Sequence, residues 1–100
     1  MTPDADHPVH FDFELFVAGN GPNSAQALVN LRALCNLRIP NRYTIAVVDV
    51  FQDPARALKE KIFMTPTLLR TSPRPECRIV GTLSHAANVA DALGLGTESK

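Results

Sequence analysis

Residues 11–34 read FDFELFVAGNGPNSAQALVNLRAL, and this stretch decides the fold. Apolar side chains alternate with other residues through its first part, which predicts a β-strand. They are Phe11, Phe13, Leu15 and Val17. The Gly-, Asn- and Pro-containing loop 18–24 follows, and beyond it an apolar stripe at helical spacing predicts an amphipathic helix. The stripe consists of Ala27, Leu28, Leu31, Leu34 and Cys35. Asn20 or Asn23 is the predicted N-cap of this helix, with Pro22 in its first turn.

A strand, a Gly-Pro loop and a helix in this order also resemble the opening of the thioredoxin-like fold. In thioredoxins a Cys-x-Pro-Cys pair stands at the start of that helix. Here Asn20 and Asn23 occupy the two cysteine positions around Gly21 and Pro22. Disulfide exchange needs a thiolate of low pKa and a resolving thiol, and a carboxamide supplies neither. The sequence therefore predicts a redox-like scaffold that binds a partner instead of catalysing a thiol reaction.

The composition argues against several other classes of protein. One hundred residues, 45% of them hydrophobic, suffice for one compact domain. The formal net charge is zero and no basic cluster stands out, so we expect neither a nucleic-acid nor a membrane partner. Cys35 and Cys77 lack metal-type spacing with the histidines, so we expect no metal and no cofactor. No signal-peptide pattern or membrane-length apolar run is present, which favours a cytoplasmic protein with reduced thiols.

The second half of the chain predicts a further strand and a short helix. The β-branched run Tyr43–Val50 indicates a strand buried on both faces, parallel to the first in a right-handed βαβ unit. Asp53 and Pro54 are a favourable helix start, since an N-cap carboxylate precedes proline at the first helical position. The buried face of this helix is predicted to comprise Ala57, Leu58 and Ile62. We place Phe51, Phe63 and Met64 in the core, or in the core of one state and the interface of another if the protein switches fold.

Two more strands and a last helix complete the predicted order βαβαββα, that of thioredoxin. Met64–Leu69 is typical of a turn that feeds a strand, and Arg78–Gly81 of a short strand after the turn at Pro73 and Pro75. Ser84 is the predicted cap of the final helix, and Gly94 its stop. The predicted boundaries are a flexible segment 1–10, a single domain 11–94 and a tail 95–100.

Four segments together resemble the KaiB circadian-clock family. They are Leu15–Ser24 (LFVAGNGPNS), Val48–Val50 (VDV), Met64–Leu68 (MTPTL) and Ile79–Ser84 (IVGTLS). They follow the family's order without gaps over residues 11–94. Each segment alone is a weak signal, but the four in order are specific. The chain is similar to the KaiB-like proteins of non-cyanobacterial bacteria at least as much as to the cyanobacterial type.

The resemblance implies a non-enzymatic timing protein. It implies binding to the N-terminal ATPase ring of a hexameric KaiC-type ATPase/kinase, and promotion of the dephosphorylation phase of that kinase. KaiA is not expected as a partner, because many organisms with KaiB-like and KaiC-like proteins lack it. The alternative function is a redox-inactive thioredoxin-like adaptor that binds a clock-output histidine kinase or another signalling protein.

The resemblance also implies two folds for one sequence. The binding-competent state is the thioredoxin-like one, and the ground state is a dimer or tetramer of order βαββααβ. Two such packings coexist only if their free energies differ by a few kcal/mol. Candidate fold-switch residues are the slowly isomerising Pro66, Pro73 and Pro75, together with Ala92 and Gly94, which replace a family Gly and Asp.

Six residues are candidate partner contacts by this resemblance. They are Asn20, Pro22, Asn23, Ser24, Lys61 and Arg78. Each also has a plainer interpretation. The loop residues shape a turn and cap a helix, and the two basic residues are solvated surface charges.

Overall fold

The computed structural model describes residues 9–95. Seven elements follow one another, in the order βαβαββα that the sequence predicts. They are β1 (Phe11–Val17), α1 (Pro22–Arg38), β2 (Tyr43–Asp49), α2 (Pro54–Lys59), β3 (Thr67–Ser72), β4 (Cys77–Val80) and α3 (Ala86–Leu93). Among these residues no helix is both long enough and apolar enough to cross a membrane.

The four strands form one mixed sheet in the order β2-β1-β3-β4. β1 and β2 are parallel, as predicted for the βαβ unit, whereas β3 is antiparallel to both β1 and β4. The prediction that Tyr43–Val50 is buried on both faces is wrong, because β2 lies at an edge and is largely half-buried or exposed. Val47 keeps 47% of its surface exposed. The continuous apolar run therefore belongs to an edge strand, whose β-branched residues favour extended backbone without being enclosed.

The main core lies between the sheet and the two helices α1 and α3. β1 contributes alternate side chains to it, and α1 contributes its predicted stripe. The buried members include Phe11, Phe13, Leu15, Val17, Ala27, Leu31, Leu34, Cys35, Leu68, Val89 and Leu93. Leu95, beyond the predicted end of the domain, is also buried there.

The other face of the sheet is covered in a different way. Phe16 and Leu69 are fully buried on it. The guanidinium of Arg56 in α2 lies over the Phe16 ring, 5.8 Å from its centroid, and pairs with Glu14 at 2.6 Å. The prediction of an apolar buried face on α2 is wrong, because no residue of α2 is buried and Leu58 is 79% exposed. Arg56 makes the contact that the apolar residues were expected to make.

The ends of the helices confirm some sequence signals and correct others. Asp53 caps α2, where its side chain accepts a hydrogen bond from the Arg56 N–H at 3.2 Å, and Gly94 ends α3 in the left-handed region at φ +69°. The predicted caps at Asn20 or Asn23 and at Ser84 are wrong. α1 begins after Gly21 and α3 after His85, and neither helix has a side-chain cap bond. The Ser84 hydroxyl instead forms a hydrogen bond with the Thr82 hydroxyl, at 2.6 Å.

Candidate protein-binding site

One end of the sheet gathers most of the residues singled out by sequence. Val17 at the end of β1 lies beside Asp49 at the end of β2, and Phe16 lies beside Thr67 at the start of β3. Thr67 in turn pairs with Val80, the last residue of β4. The loops 18–21, 50–53, 63–66 and 81–85 therefore leave or enter the sheet at the same end. We call this the loop end.

The loop between β1 and α1 is held by hydrogen bonds that its backbone N–H groups donate to side chains. Gly19 adopts φ +65°, which favours glycine. The Ala18 N–H donates to the Ser24 hydroxyl at 3.4 Å, and Ser24 is buried. Asn20, Pro22 and Asn23 are exposed around it. Ser24, in the first turn of α1, is therefore buried against the loop, whereas the other three predicted contact residues are exposed.

Asp49 connects this loop to the next one. Its Oδ1 accepts hydrogen bonds from the Gly19 N–H at 3.2 Å and from the Phe51 N–H at 2.9 Å. Its backbone carbonyl also accepts from the Gln52 and Asp53 N–H groups. One carboxylate thus fixes the relative positions of two loops. The sequence left open what Asp49 does, although its place after a strand end is the signal that points to it.

A cleft of about 360 Å³ opens beside these loops. Its lining residues are Val17, Gly19, Asn20, Ser24, Ala25, Leu28, Val47 and Asp49. In a thioredoxin the reactive cysteine pair would lie at this position of the fold. No group of three or more potential metal ligands occurs among the described residues.

The two candidate basic residues are brought together on the α2 side of the sheet. The Arg78 guanidinium donates to the backbone carbonyl of Glu60 at 2.7 Å and to that of Lys61 at 3.1 Å. Lys61 itself is exposed and adopts φ +57°, just after α2 ends. Arg78 is therefore a brace for the end of α2, which presents Lys61 to solvent. The first four candidate residues lie apart from this pair, at the start of α1.

Large apolar side chains are exposed around α2 and its flanking loops. We call Phe51, Leu58, Phe63 and Met64 the exposed apolar set. Phe63 is 86% exposed, Phe51 73% and Met64 64%. The prediction that Phe51, Phe63 and Met64 lie in the core is wrong for this state. Exposed apolar side chains in number are typical of a surface that contacts another protein.

Neither cysteine has the environment of a redox thiol. Both are free, and they lie on α1 and β4. Burial of Cys35 raises the pKa of its thiol to about 12, opposite to the direction that activates a nucleophile. Cys77 is half-buried, and its Sγ donates to the Ala92 carbonyl at 3.3 Å. The positions that carry cysteines in thioredoxins hold Asn20 and Asn23.

Comparison with known proteins identifies the family. The family model "KaiB domain" matches residues 14–95. The chain belongs to the KaiB family. It is 40% identical over 82 residues to "Circadian clock oscillator protein KaiB" of Synechococcus elongatus, a match that covers 82% of this chain and 80% of the relative. It is 36% identical over 84 residues to "Circadian clock protein KaiB3" of Synechocystis, covering 84% of this chain and 82% of the relative.

Solved structures show the thioredoxin-like fold for this KaiB-family chain. The N-terminal domain of Synechococcus elongatus SasA has a TM-score of 0.69 at 18% identity, with 100% of this chain and 96% of that chain covered. Chloroplastic thioredoxin z has a TM-score of 0.69, also at 18% identity, with 91% and 81% covered. Identities this low show the fold alone. Together with the observed element order, they confirm the predicted thioredoxin-like architecture.

The fold-switch candidates suggested by the KaiB resemblance lie in three places. Pro66 is buried at the loop end, where its carbonyl accepts from the Gly81 N–H at 2.9 Å. Pro73 and Pro75 lie in the turn between β3 and β4, whereas Ala92 and Gly94 lie at the end of α3. Arg70 joins the turn to the helix, because its guanidinium donates to the carbonyls of Pro75 and Leu93. Sequence reasoning missed Arg70, and a basic residue inside an apolar strand run was the available signal.

Proposed function

We propose that this chain is a clock protein that binds the N-terminal ATPase ring of a KaiC-type hexameric ATPase/kinase and promotes its dephosphorylation phase. Membership of the KaiB family carries the proposal, because its curated relatives are circadian clock proteins. The proposed activity is regulatory and requires no catalytic residue in this chain. KaiA is not part of the proposal.

The surface we propose for the ring comprises the loop end and α2. Its exposed residues combine carboxamides at the start of α1, Lys61 after α2, and the exposed apolar set. Binding energy in protein interfaces concentrates on a few large side chains that become fully desolvated. Phe63 is the leading candidate for such an anchor, since 86% of its surface is exposed and no apolar neighbour encloses it.

The thioredoxin-like state is the proposed binding state, and a second fold of order βαββααβ is the proposed ground state. In that case only a fraction of the free protein is competent to bind, so association is slow and its apparent affinity is reduced by that fraction. Two of the fold-switch candidates, Pro75 and Gly94, lie near the end of α3, which the second fold would have to rearrange. Their contacts with Arg70 support the proposal that they set the balance between the two folds.

The test is complex formation with a purified hexameric KaiC-type ATPase, followed by size-exclusion chromatography over hours, first with ATP and then with ADP. We expect a complex that forms slowly and depends on the nucleotide. The phosphorylated fraction of the ATPase should then fall faster in the presence of this chain than without it. Absence of any complex under both nucleotides would overturn the proposal and leave the adaptor alternative to be tested against a histidine kinase.

A matched pair of variants locates the surface. Phe63→Ser removes an exposed phenyl group outside the core and is expected to weaken binding to the KaiC-type ATPase by about tenfold or more. Leu37→Ser is the control, because Leu37 is 75% exposed on α1, away from α2. Equal binding of the ATPase by both variants would show that a different surface of this chain contacts it.

A further inference from the structure

The outer face of α1 is almost as apolar as its buried face. Ala25, Val29, Ala33 and Leu37 follow one another at intervals of four residues, so they form one row along the helix. All four side chains are exposed, Val29 with 61% and Leu37 with 75% of its surface. The solvent-facing side of a helix in a globular protein is normally charged or polar. We call these four residues the outer row.

The outer row has the surface shape of a helix–helix contact. The small side chains of Ala25 and Ala33 alternate with the large ones of Val29 and Leu37, which produces ridges and gaps along the helix. A cleft of about 200 Å³ lies beside Ala33 and Leu37 and extends to Ala86 at the start of α3. A cavity of about 150 Å³ is large enough to hold a benzene molecule. The cleft therefore has room for one large apolar side chain of a partner.

The charges around the outer row are all positive. Residues 18–48 contain three arginines and no lysine, aspartate or glutamate, although the whole chain has no net charge. The arginines are Arg32, Arg38 and Arg42, and Arg32 is exposed near the middle of the row. An antiparallel pairing of two copies through this row would bring their Arg32 side chains close together on the same flank. Because like charges oppose association, the charges favour an acidic partner over a second copy.

We propose that the outer row binds an amphipathic helix of another protein, in which acidic side chains flank the apolar stripe. The large apolar side chains of that helix cover Val29 and Leu37, and one of them enters the cleft beside Ala33. A carboxylate at the edge of the stripe pairs with Arg32. Grooves that bind helices recognise large apolar side chains at helical spacing in this way. The sheet separates the outer row from α2, and hence from the surface proposed for the ring.

Titration of the isotope-labelled full chain with two synthetic peptides, followed by NMR, tests the binding. The first peptide is an amphipathic helix of about 18 residues, with leucines on one face and glutamates beside them. The second has lysine at every glutamate position. We expect the first peptide to shift the amide signals of residues 25–37 and 83–86, and the second to bind at least about tenfold more weakly. No binding of the first peptide at about 1 mM, equal binding of both, or shifts confined to α2 and the loop end would overturn the proposal.

Charge variants test the contact residues. Ala33→Glu introduces a carboxylate into the outer row and should weaken binding of the glutamate peptide by about tenfold or more. The fold should be retained, because Ala33 is exposed and glutamate is a good helix former. Ala55→Glu is the matched control, since it adds the same charge at an exposed alanine of α2. Arg32→Gln should reduce the preference for the glutamate peptide over the lysine peptide. Equal affinities of Ala33→Glu and Ala55→Glu, or an unchanged preference in Arg32→Gln, would contradict the proposed contact.

Leu37→Ser and Phe63→Ser separate this proposal from the function proposed above. Leu37→Ser should bind the glutamate peptide about tenfold more weakly and the KaiC-type ATPase as tightly as the unmodified chain does. Phe63→Ser should show the opposite pattern. If Leu37→Ser weakens binding of both ligands, the outer row belongs to the ring surface and a separate helical partner is excluded. Binding of the unmodified chain to phosphatidylserine vesicles, without binding of the peptide, would likewise overturn the proposal.

Discussion

The guanidinium of Arg70 donates a hydrogen bond to the backbone carbonyl of Leu93, the last residue of α3. Its second nitrogen, Nη2, donates to the Pro75 carbonyl at 2.6 Å. Arg70 belongs to β3 and is only 9% exposed. Carbonyl groups at the end of a helix carry partial negative charge, so a cation is stabilised there. A single side chain thus fixes α3 and the β3–β4 turn to the centre of the sheet.

Replacement of Arg70 should destabilise the thioredoxin-like state. Arg70→Met keeps an unbranched buried chain but leaves both carbonyls without their donor. We expect the free energy of unfolding to fall by about 2 kcal/mol, measured by urea unfolding monitored by circular dichroism. Arg70→Lys is the matched variant, since it keeps the charge but lacks the planar fork that reaches two acceptors. Unchanged stability in Arg70→Met would contradict the bracing function.

A side chain at position 94 should destabilise this state. Its φ of +69° is strained for other residues, and an added Cβ would lie 3.3 Å from Nη1 of Arg70. We expect Gly94→Ala to lower the free energy of unfolding by about 1–2 kcal/mol.

A double-mutant cycle separates the two causes. If the contact with the guanidinium contributes to the destabilisation, Gly94→Ala should lower the free energy of unfolding by less in the Arg70→Met background than in the unmodified chain. An identical loss of unfolding free energy in both backgrounds would show that the destabilisation comes only from the left-handed backbone conformation at position 94.

Arg78 should control the order of α2 more than the stability of the whole domain. Arg78→Ala removes the donors to Glu60 and Lys61, and we expect the backbone amides of residues 56–62 to exchange with deuterium faster. The unfolding free energy should change by only about 1 kcal/mol, because the site is exposed. Arg78→Lys is the control that retains the charge with a single donor group. Unchanged exchange in Arg78→Ala would show that Arg78 acts only as a surface charge.

Local signals in the sequence were sufficient for the elements and for some of their ends. The alternation in residues 11–17 and the stripe on α1 predict the core correctly, because each pattern arises from the burial of one face of the element. Asp53 and Gly94 were predicted correctly since an N-cap carboxylate and a left-handed glycine act within one helical turn. Asn20, Asn23 and Ser84 are not caps, because α1 begins after Gly21 and α3 after His85, and neither helix start has a side-chain cap bond.

Exposure and non-local bonds could not be predicted from the same signals. The run in β2 was expected to be enclosed, yet nothing in a local pattern distinguishes an edge strand from a central one. Phe63 and Met64 were placed in the core by their apolar character, whereas α2 contacts the sheet through Arg56. Arg70, Arg78 and Asp49 each form at least one hydrogen bond with a backbone group distant in sequence. For the candidate site, the sequence indicates the start of α1, Lys61 and Arg78, but neither the backbone contacts of Arg78 nor those of Asp49.

The buried thiol of Cys35 should make stability depend on pH in the alkaline range. Burial raises its pKa from 9.0 to about 12. Between these values the folded chain holds a proton that the unfolded chain releases, so the free energy of unfolding falls as pH rises through this window. Below about pH 8 both states are protonated and the contribution of Cys35 does not vary.

The measurement is urea unfolding at several values between about pH 8 and about pH 11, for the unmodified chain and for Cys35→Ala. The two proteins share every other titratable group, so the difference between their pH profiles isolates the thiol. We expect Cys35→Ala to be less stable at neutral pH, because a core side chain is shortened, but to lose less stability as pH rises. Native alkylation gives an independent check, since Cys77 should react while Cys35 stays protected. Parallel pH profiles would contradict the raised pKa of Cys35.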